Sequence, residues 1–381
     1  MNWRYQLSEL NWGKDELTSV MNIMEGGWVT AGEETQRFEA EFISAMGWAN
    51  RRAVAVSSCT AAIHLALMDI GVGPGDEVIV PALTFVSCWN VVRQLGATAI
   101  YMDCDPHTGN INVDDIQKLV TPRTKAAIVV HFAGEPVSGT PNLANFLSSI
   151  GVALIEDVAH APGASVNGHA VGGFGDYGCF SFFSNKNLAI GEGGMIVTTP
   201  ERAIRLSNLR SHGMTASTHT RFTGRAFSYD VQMPGLNYRT DEIRSAIGRV
   251  QLAKLDGSNR KRLQLLKRYK HRLSEIGIEV LGASERSGQM SVAHICACLL
   301  PEGIDRNTIN ALLKLEGIQS SYHYPAPWSF SAYLSLINPK NFPGVSEVTS
   351  RELTLPLHPK LNSDDVDIIC QVVEGFINES R

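Results

Sequence analysis

Short apolar runs punctuate the first half of the chain at regular intervals. Seven of them read as strands: Ala53–Ser57, Glu77–Val80, Thr98–Asp103, Ala126–His131, Val152–Asp157, Gly178–Phe182 and Met195–Thr198. Several are apolar at consecutive positions rather than at every second one. A strand needs that pattern when helices cover both of its faces. Helical spacing appears between some of the runs, as in Thr60–Ile70, where Ile63, Ala66, Leu67 and Ile70 fall on one face. Alternation of this kind predicts an α/β fold with a mostly parallel sheet between helices.

The texture changes after Gly235. Asp241–Leu255 and Arg260–Ile276 read as two long helices, followed by a strand-like run at Ser291–Leu299, a helix at Thr308–Glu316 and a C-terminal helix at Ser363–Asn378. A smaller α+β domain is therefore expected after a boundary near residues 235–260. The division drawn is 1–250 for a large domain and 251–381 for a small one, a size split that suits 381 residues.

Composition narrows the class. With 44% hydrophobic and 19% charged residues, the chain has enough apolar surface to offset its entropy, so disorder is not expected. A formal net charge of -5 argues against a nucleic-acid binder, which carries a basic face. No run approaches the ~20 apolar residues of a membrane helix. Met1 to Glu9 lacks the basic stretch and apolar core of a signal peptide. Cys59, Cys88, Cys104, Cys179, Cys296, Cys298 and Cys370 are scattered and odd in number. None has zinc-site spacing, so no metal is expected. Cys296 and Cys298 share one face of a strand and read as buried thiols. Reduced thiols point to the cytoplasm.

Four stretches carry candidate chemistry. In Ser181-Phe-Phe-Ser-Asn-Lys186-Asn-Leu-Ala-Ile-Gly191-Glu-Gly193-Gly194 a strand ends, a lysine follows, and glycines permit a tight backbone path. A lysine held there can form a Schiff base with an aldehyde cofactor once its site lowers its affinity for protons. Most lone lysines are merely solvated, so the neighbourhood decides. Val152-Ala-Leu-Ile-Glu156-Asp157 is an apolar strand ending in two acids that point to opposite faces. Asp157 is the candidate to keep a pyridine nitrogen protonated; a solvated strand end is the plain alternative. His160, three residues on, either contacts such a ring or packs in the next turn. Ala53-Val-Ala-Val-Ser57-Ser-Cys-Thr60-Ala61 turns from a strand into a helix N-terminus, a natural phosphate site through Thr60 and the Ala61 amide, with Ser181 as a further hydroxyl. An ordinary helix cap would explain the same residues. In Pro81-Ala-Leu-Thr-Phe85-Val-Ser-Cys-Trp89, Phe85 is the better placed to stack on a ring, and Trp89 reads as core.

Taken in order, these residues resemble the DegT/DnrJ/StrS-type sugar aminotransferases, a branch of the aspartate-aminotransferase (fold type I) superfamily that depends on pyridoxal 5'-phosphate (PLP). The likeness runs over nearly the whole chain. It includes Gly27-Trp-Val-Thr-Ala-Gly32, His131-Phe-Ala-Gly134, Ile155 to His160, the lysine segment, Gly235-Leu-Asn237-Tyr-Arg239, Tyr322-His323-Tyr324 and Leu355-Pro356-Leu357. The resemblance implies a seven-stranded large domain and roles for particular residues. Lys186 would hold the cofactor and shuttle protons, and Asp157 would pair with the pyridine nitrogen. Thr60, Ala61 and Ser181 would bind the phosphate, Phe85 would stack on the ring, and His160 would stand beside it. Asn237 would reach the cofactor phosphate of a neighbouring subunit, which implies a homodimer with active sites at the interface. The implied reaction moves an amino group from glutamate or glutamine to a keto sugar, with a nucleotide-linked 3- or 4-keto-deoxy sugar the first expectation. A keto-cyclitol aminotransferase and a PLP-dependent sugar dehydratase are the alternatives; retention of Lys186 favours transamination. His323, Tyr324 and Arg239 are candidates for the acceptor site. Two residues depart from the family pattern: Cys59 replaces a common glycine and Thr240 a common methionine, and neither is expected to touch the chemistry.

Overall fold

The computed structural model describes residues 3–216, 218–224, 226–282, 287–334 and 337–379. Its central sheet has seven strands: β1 (Arg52–Val56), β2 (Glu77–Pro81), β3 (Thr98–Met102), β4 (Thr124–Val130), β5 (Ala153–Asp157), β6 (Tyr177–Ser181) and β7 (Gly194–Thr198). Their order is β1-β7-β6-β5-β4-β2-β3. All neighbours from β6 to β3 run parallel, while β7 is antiparallel to both β6 and β1. These are the seven apolar runs of the sequence, each within two residues at either end.

The reason for the unbroken apolar runs is visible in the packing. Val78 and Val80 of β2 join Val54, Val56 and Ile128 against Ile63 and Leu67 of helix α1 (Cys59–Ile70). Ile79, between them in sequence, packs on the opposite face with Ala127, Val129, Leu143 and Leu147. Both faces of the sheet are therefore removed from water.

The C-terminal half corrects two sequence expectations. Asp241–Leu255 and Arg260–Ile276 are not two helices but parts of one, α2 (Glu242–Ser274), 33 residues long. Asp256, Gly257, Ser258 and Asn259 are weak helix formers and read as a break. Tertiary contacts override them. Ser258 and Asn259 are buried, and Asn259 Nδ2 donates to the Pro162 carbonyl at 3.0 Å. The run Ser291–Leu299 is a strand only over Cys296–Leu299, which lies between Glu279–Val280 and Glu352–Leu355 in a three-stranded antiparallel sheet. Helices at Arg306–Leu315 and Ser363–Glu379 stand where the pattern placed them.

Residue 250 falls inside α2. Ile247 and Leu255 of that helix pack in the large core, whereas Leu265, Leu266, Tyr269 and Leu273 pack in the C-terminal core, which Tyr5 also joins. We propose that the two-domain division follows these cores, with α2 as the shared spine. All seven cysteines are buried and unpaired. Among the described residues no helix is long and apolar enough to cross a membrane, and no three His, Cys, Asp or Glu side chains gather as a metal site.

Candidate active site

Ligands of open α/β sheets bind beyond the carboxyl ends of the strands, and a cavity of about 390 Å³ lies there. Eight of the candidate residues singled out from the sequence line it: Thr60, Phe85, Asp157, His160, Ser181 and Lys186, together with His323 and Tyr324. The volume is that of an ordinary small-molecule site.

Asp157 is the last residue of β5 and is 4% exposed. Its Oδ1 accepts the Ala159 N–H at 2.9 Å, and its Oδ2 lies 3.4 Å from the Cys88 thiol. Burial, opposed by the Ala159 N–H, pushes the carboxyl above its ordinary range. Glu156 points the other way, as adjacent strand residues must. It accepts N–H bonds from Gly172, Phe174 and Gly175 and faces the His131 ring, so it is a structural carboxylate. Of the acid pair, only Asp157 meets the cavity.

Lys186 is half-buried in the loop between β6 and β7. Burial lowers its amine to about 8, outweighing the attraction of Asp157. A neutral, nucleophilic fraction is thus present near neutral pH. The glycines after it have a definite use. Gly194 starts β7 so close to α1 that a Cβ there would stand 2.5 Å from the Ser58 carbonyl carbon. That contact brings the N-terminus of α1 to the cavity, where Ser58, Cys59 and Thr60 form one end and Ser181 stands with them.

The Ala61 amide donates to Ser58 Oγ at 3.1 Å, because Ser58 caps the helix. The expectation for Cys59 needs correcting. Its thiol lies 3.7 Å from Asp157 Oδ1, so this departure from the family pattern touches the proposed chemistry directly. Burial and the Asp157 charge hold that thiol protonated.

His160 is buried, and its Nδ1 accepts the Ala133 N–H at 3.3 Å. Its Nε2 therefore carries the hydrogen and donates to the Tyr324 hydroxyl at 2.8 Å. Tyr324 is left with its own O–H to offer the cavity, which it lines together with His323. Phe85 is exposed at the cavity edge, its ring 5.9 Å from that of Tyr324. Trp89 is core, fully buried with its indole N–H on the Pro81 carbonyl.

Asn237 and Arg239 are elsewhere. Asn237 is exposed and pairs through its backbone with Ser211. Arg239 lines a separate depression of about 430 Å³ beside Ser211. His294 and Cys88, not singled out from the sequence, do reach the site: His294 Nε2 is 3.5 Å from Lys186 Nζ. The apolar run around His294 reads as a strand and gives no sign that this residue faces the lysine.

The chemistry of these donors fits PLP. The carboxylate facing the cavity has only a backbone amide and two thiols as hydrogen-bond partners among the described residues. A protonated pyridine nitrogen would supply the strong donor it lacks. A helix N-terminus with two hydroxyls suits the phosphate, and a lysine of lowered proton affinity suits the aldehyde. The sequence pattern of the DegT/DnrJ/EryC1/StrS aminotransferase family matches residues 11–374. The chain belongs to this family. It is 35% identical over 373 residues to the spore coat polysaccharide biosynthesis protein SpsC of Bacillus subtilis (strain 168), covering 96% of this chain and 95% of that one. Among solved structures, the aminotransferase TlmJ from Streptoalloteichus hindustanus is 30% identical, with a TM-score of 0.89 over 98% of this chain and 99% of the other. The PLP form of the putative sugar aminotransferase Spr1654 from Streptococcus pneumoniae is 27% identical, with a TM-score of 0.90 over 100% of both chains. As a DegT/DnrJ/EryC1/StrS member, the protein is a PLP-dependent sugar aminotransferase with the type I fold.

Proposed function

We propose that the enzyme takes an amino group from glutamate or glutamine and delivers it to a nucleotide-linked 3- or 4-keto-deoxy sugar, in cytoplasmic amino-sugar biosynthesis. The observation that carries this reading is the pairing, on one cavity, of a buried Asp157 carboxylate with a lysine of lowered proton affinity. The sugar is supported by the polar rim, where Asn185, Glu192, His323 and Tyr324 offer hydrogen bonds to hydroxyls, and by likeness to a polysaccharide biosynthesis protein.

When bound, PLP supplies an aldehyde and a ring that spreads developing negative charge. The chain does the rest. Lys186 would hold the aldehyde and would move a proton at Nζ. Asp157 would keep the pyridine nitrogen protonated. Thr60, Ser181 and the first turn of α1 would hold the phosphate, Phe85 would stand against the ring, and His160 fixes Tyr324 with its O–H toward the cavity.

The test is a half-reaction. Enzyme loaded with pyridoxamine phosphate is offered nucleotide-linked 3-keto and 4-keto sugars and, separately, scyllo-inosose. Return of the yellow chromophore with a nucleotide-linked sugar supports the reading. Return with scyllo-inosose alone makes the enzyme a keto-cyclitol aminotransferase.

We also propose a homodimer in which Asn237 bonds the cofactor phosphate of the partner subunit. Support comes from its exposure away from its own chain's cavity and from the exposed apolar side chains just before it, Phe222, Phe227 and Val231. A hydrogen bond to a charged group is worth about 1.5–3 kcal/mol, so Asn237→Ala should weaken PLP retention by about 10- to 150-fold. Sedimentation should give a dimer at micromolar concentration. A monomer that holds PLP fully and turns over would contradict the shared site.

A further inference from the structure

Lys186 stands beside an imidazole that the fold holds in one tautomer. His294 is buried; its Nδ1 lies 2.9 Å from Asn187 Oδ1, and its Nε2 lies 3.5 Å from Lys186 Nζ. Asn187 is oriented from its other end. Its Nδ2 donates to Asn259 Oδ1 at 2.8 Å and to the Val292 carbonyl at 3.0 Å. Both amide hydrogens are thereby engaged, so the atom facing His294 is the oxygen, which can only accept. His294 Nδ1 must carry the hydrogen. Burial, reinforced by His160, Lys186 and Arg262, keeps the ring neutral. Nε2 is then a bare lone pair, able to accept from Lys186 and unable to donate to it.

This limits which way the amine faces. A neutral amine has two N–H bonds and one lone pair. If one N–H is given to His294, the lone pair is turned away from the imidazole. We propose that His294 is a positioning residue: it accepts an N–H of Lys186 and turns the lysine's lone pair into the cavity, with Asn187 and Asn259 fixing the tautomer that permits this. Asn259 is buried in the stretch of α2 that looked like a break in the sequence, so the unbroken helix has a use at the site. The inference rests on the reading of Lys186 as the residue that captures the cofactor. In that capture the Nζ lone pair forms the bond to the aldehyde carbon, and the two amine hydrogens leave with the aldehyde oxygen as water. Orientation of the lone pair therefore governs the rate of capture, whereas pyridoxamine phosphate, which has no aldehyde, binds without needing it.

The experiment uses the full chain stripped of cofactor. The rate at which added PLP becomes fixable to Lys186 by borohydride is followed by mass spectrometry, and the Kd for pyridoxamine phosphate is measured alongside. His294→Leu should slow capture by about tenfold or more and leave the pyridoxamine phosphate Kd within about threefold, because misorientation penalises the reaction and not the binding. His294→Gln, whose Oε1 can accept from Lys186, should keep most of the rate. Capture by His294→Leu at the wild-type rate would overturn the proposal, as would a loss of pyridoxamine phosphate binding that matches the loss of rate. If wild-type chain captures PLP but not at Lys186, the reading of Lys186 itself fails, and the role of His294 with it.

Discussion

Lys186→Ala should give a colourless protein whose transamination is lower by about 10⁴-fold or more, at the upper end of what a positioned proton-transfer group contributes. Two tasks disappear together. The chain loses its covalent hold on the cofactor, and it loses the amine that moves protons at the reacting carbon. No described neighbour is equipped to replace it. His160 and His294 are both held well below their ordinary range by burial, which makes them poor bases; both ring nitrogens of His160 and Nδ1 of His294 are already engaged, and only His294 Nε2 is released when the lysine is removed. The cavity should persist, because among the described residues the Lys186 amine forms no ion pair and its one hydrogen-bond contact is the 3.5 Å approach to His294. The variant should therefore still bind pyridoxamine phosphate. A Lys186→Ala enzyme that turns over normally would remove the lysine from the reaction.

Asp157→Asn should keep the fold and lower turnover by at least about 100-fold. The amide has nearly the volume of the acid, and its oxygen can still accept the Ala159 N–H that holds Oδ1 at 2.9 Å. What it cannot do is hold a proton on the pyridine nitrogen, so the ring stops drawing charge from the reacting carbon. Loss of a charged hydrogen bond alone costs about 1.5–3 kcal/mol, or roughly 10- to 150-fold, before that electronic effect is added. Near-normal turnover would assign the role elsewhere. Glu156 is a poor candidate, because three backbone N–H groups and the His131 ring already occupy its oxygens.

The fold was legible because the sheet is covered on both sides. Residues such as Val78, Ile79 and Val80 are all buried, so their apolar run carries the strand directly in composition. The long helix was not, because Ser258 and Asn259 stay helical for tertiary reasons that no local spacing records. The site divided in the same way. Asp157, Ser181 and Lys186 lie at or just beyond strand ends, where position along the chain reports position in space. The bond from the Ala61 amide to Ser58 was not legible, because the choice of Ser58 as cap depends on how one hydroxyl rotates. His294 could not be read at all: it arrives from more than a hundred residues away, and only the packing of the C-terminal segment brings it to Lys186.

The central claim is that Lys186 holds the cofactor of a sugar aminotransferase. Borohydride reduction of the purified holoenzyme, followed by proteolysis and mass spectrometry, tests it most directly. The expected result is a phosphopyridoxyl group on the peptide that contains Lys186 and loss of the yellow chromophore on reduction. A modified peptide that contains a different lysine, or a reduced protein that carries no covalent cofactor, would contradict it.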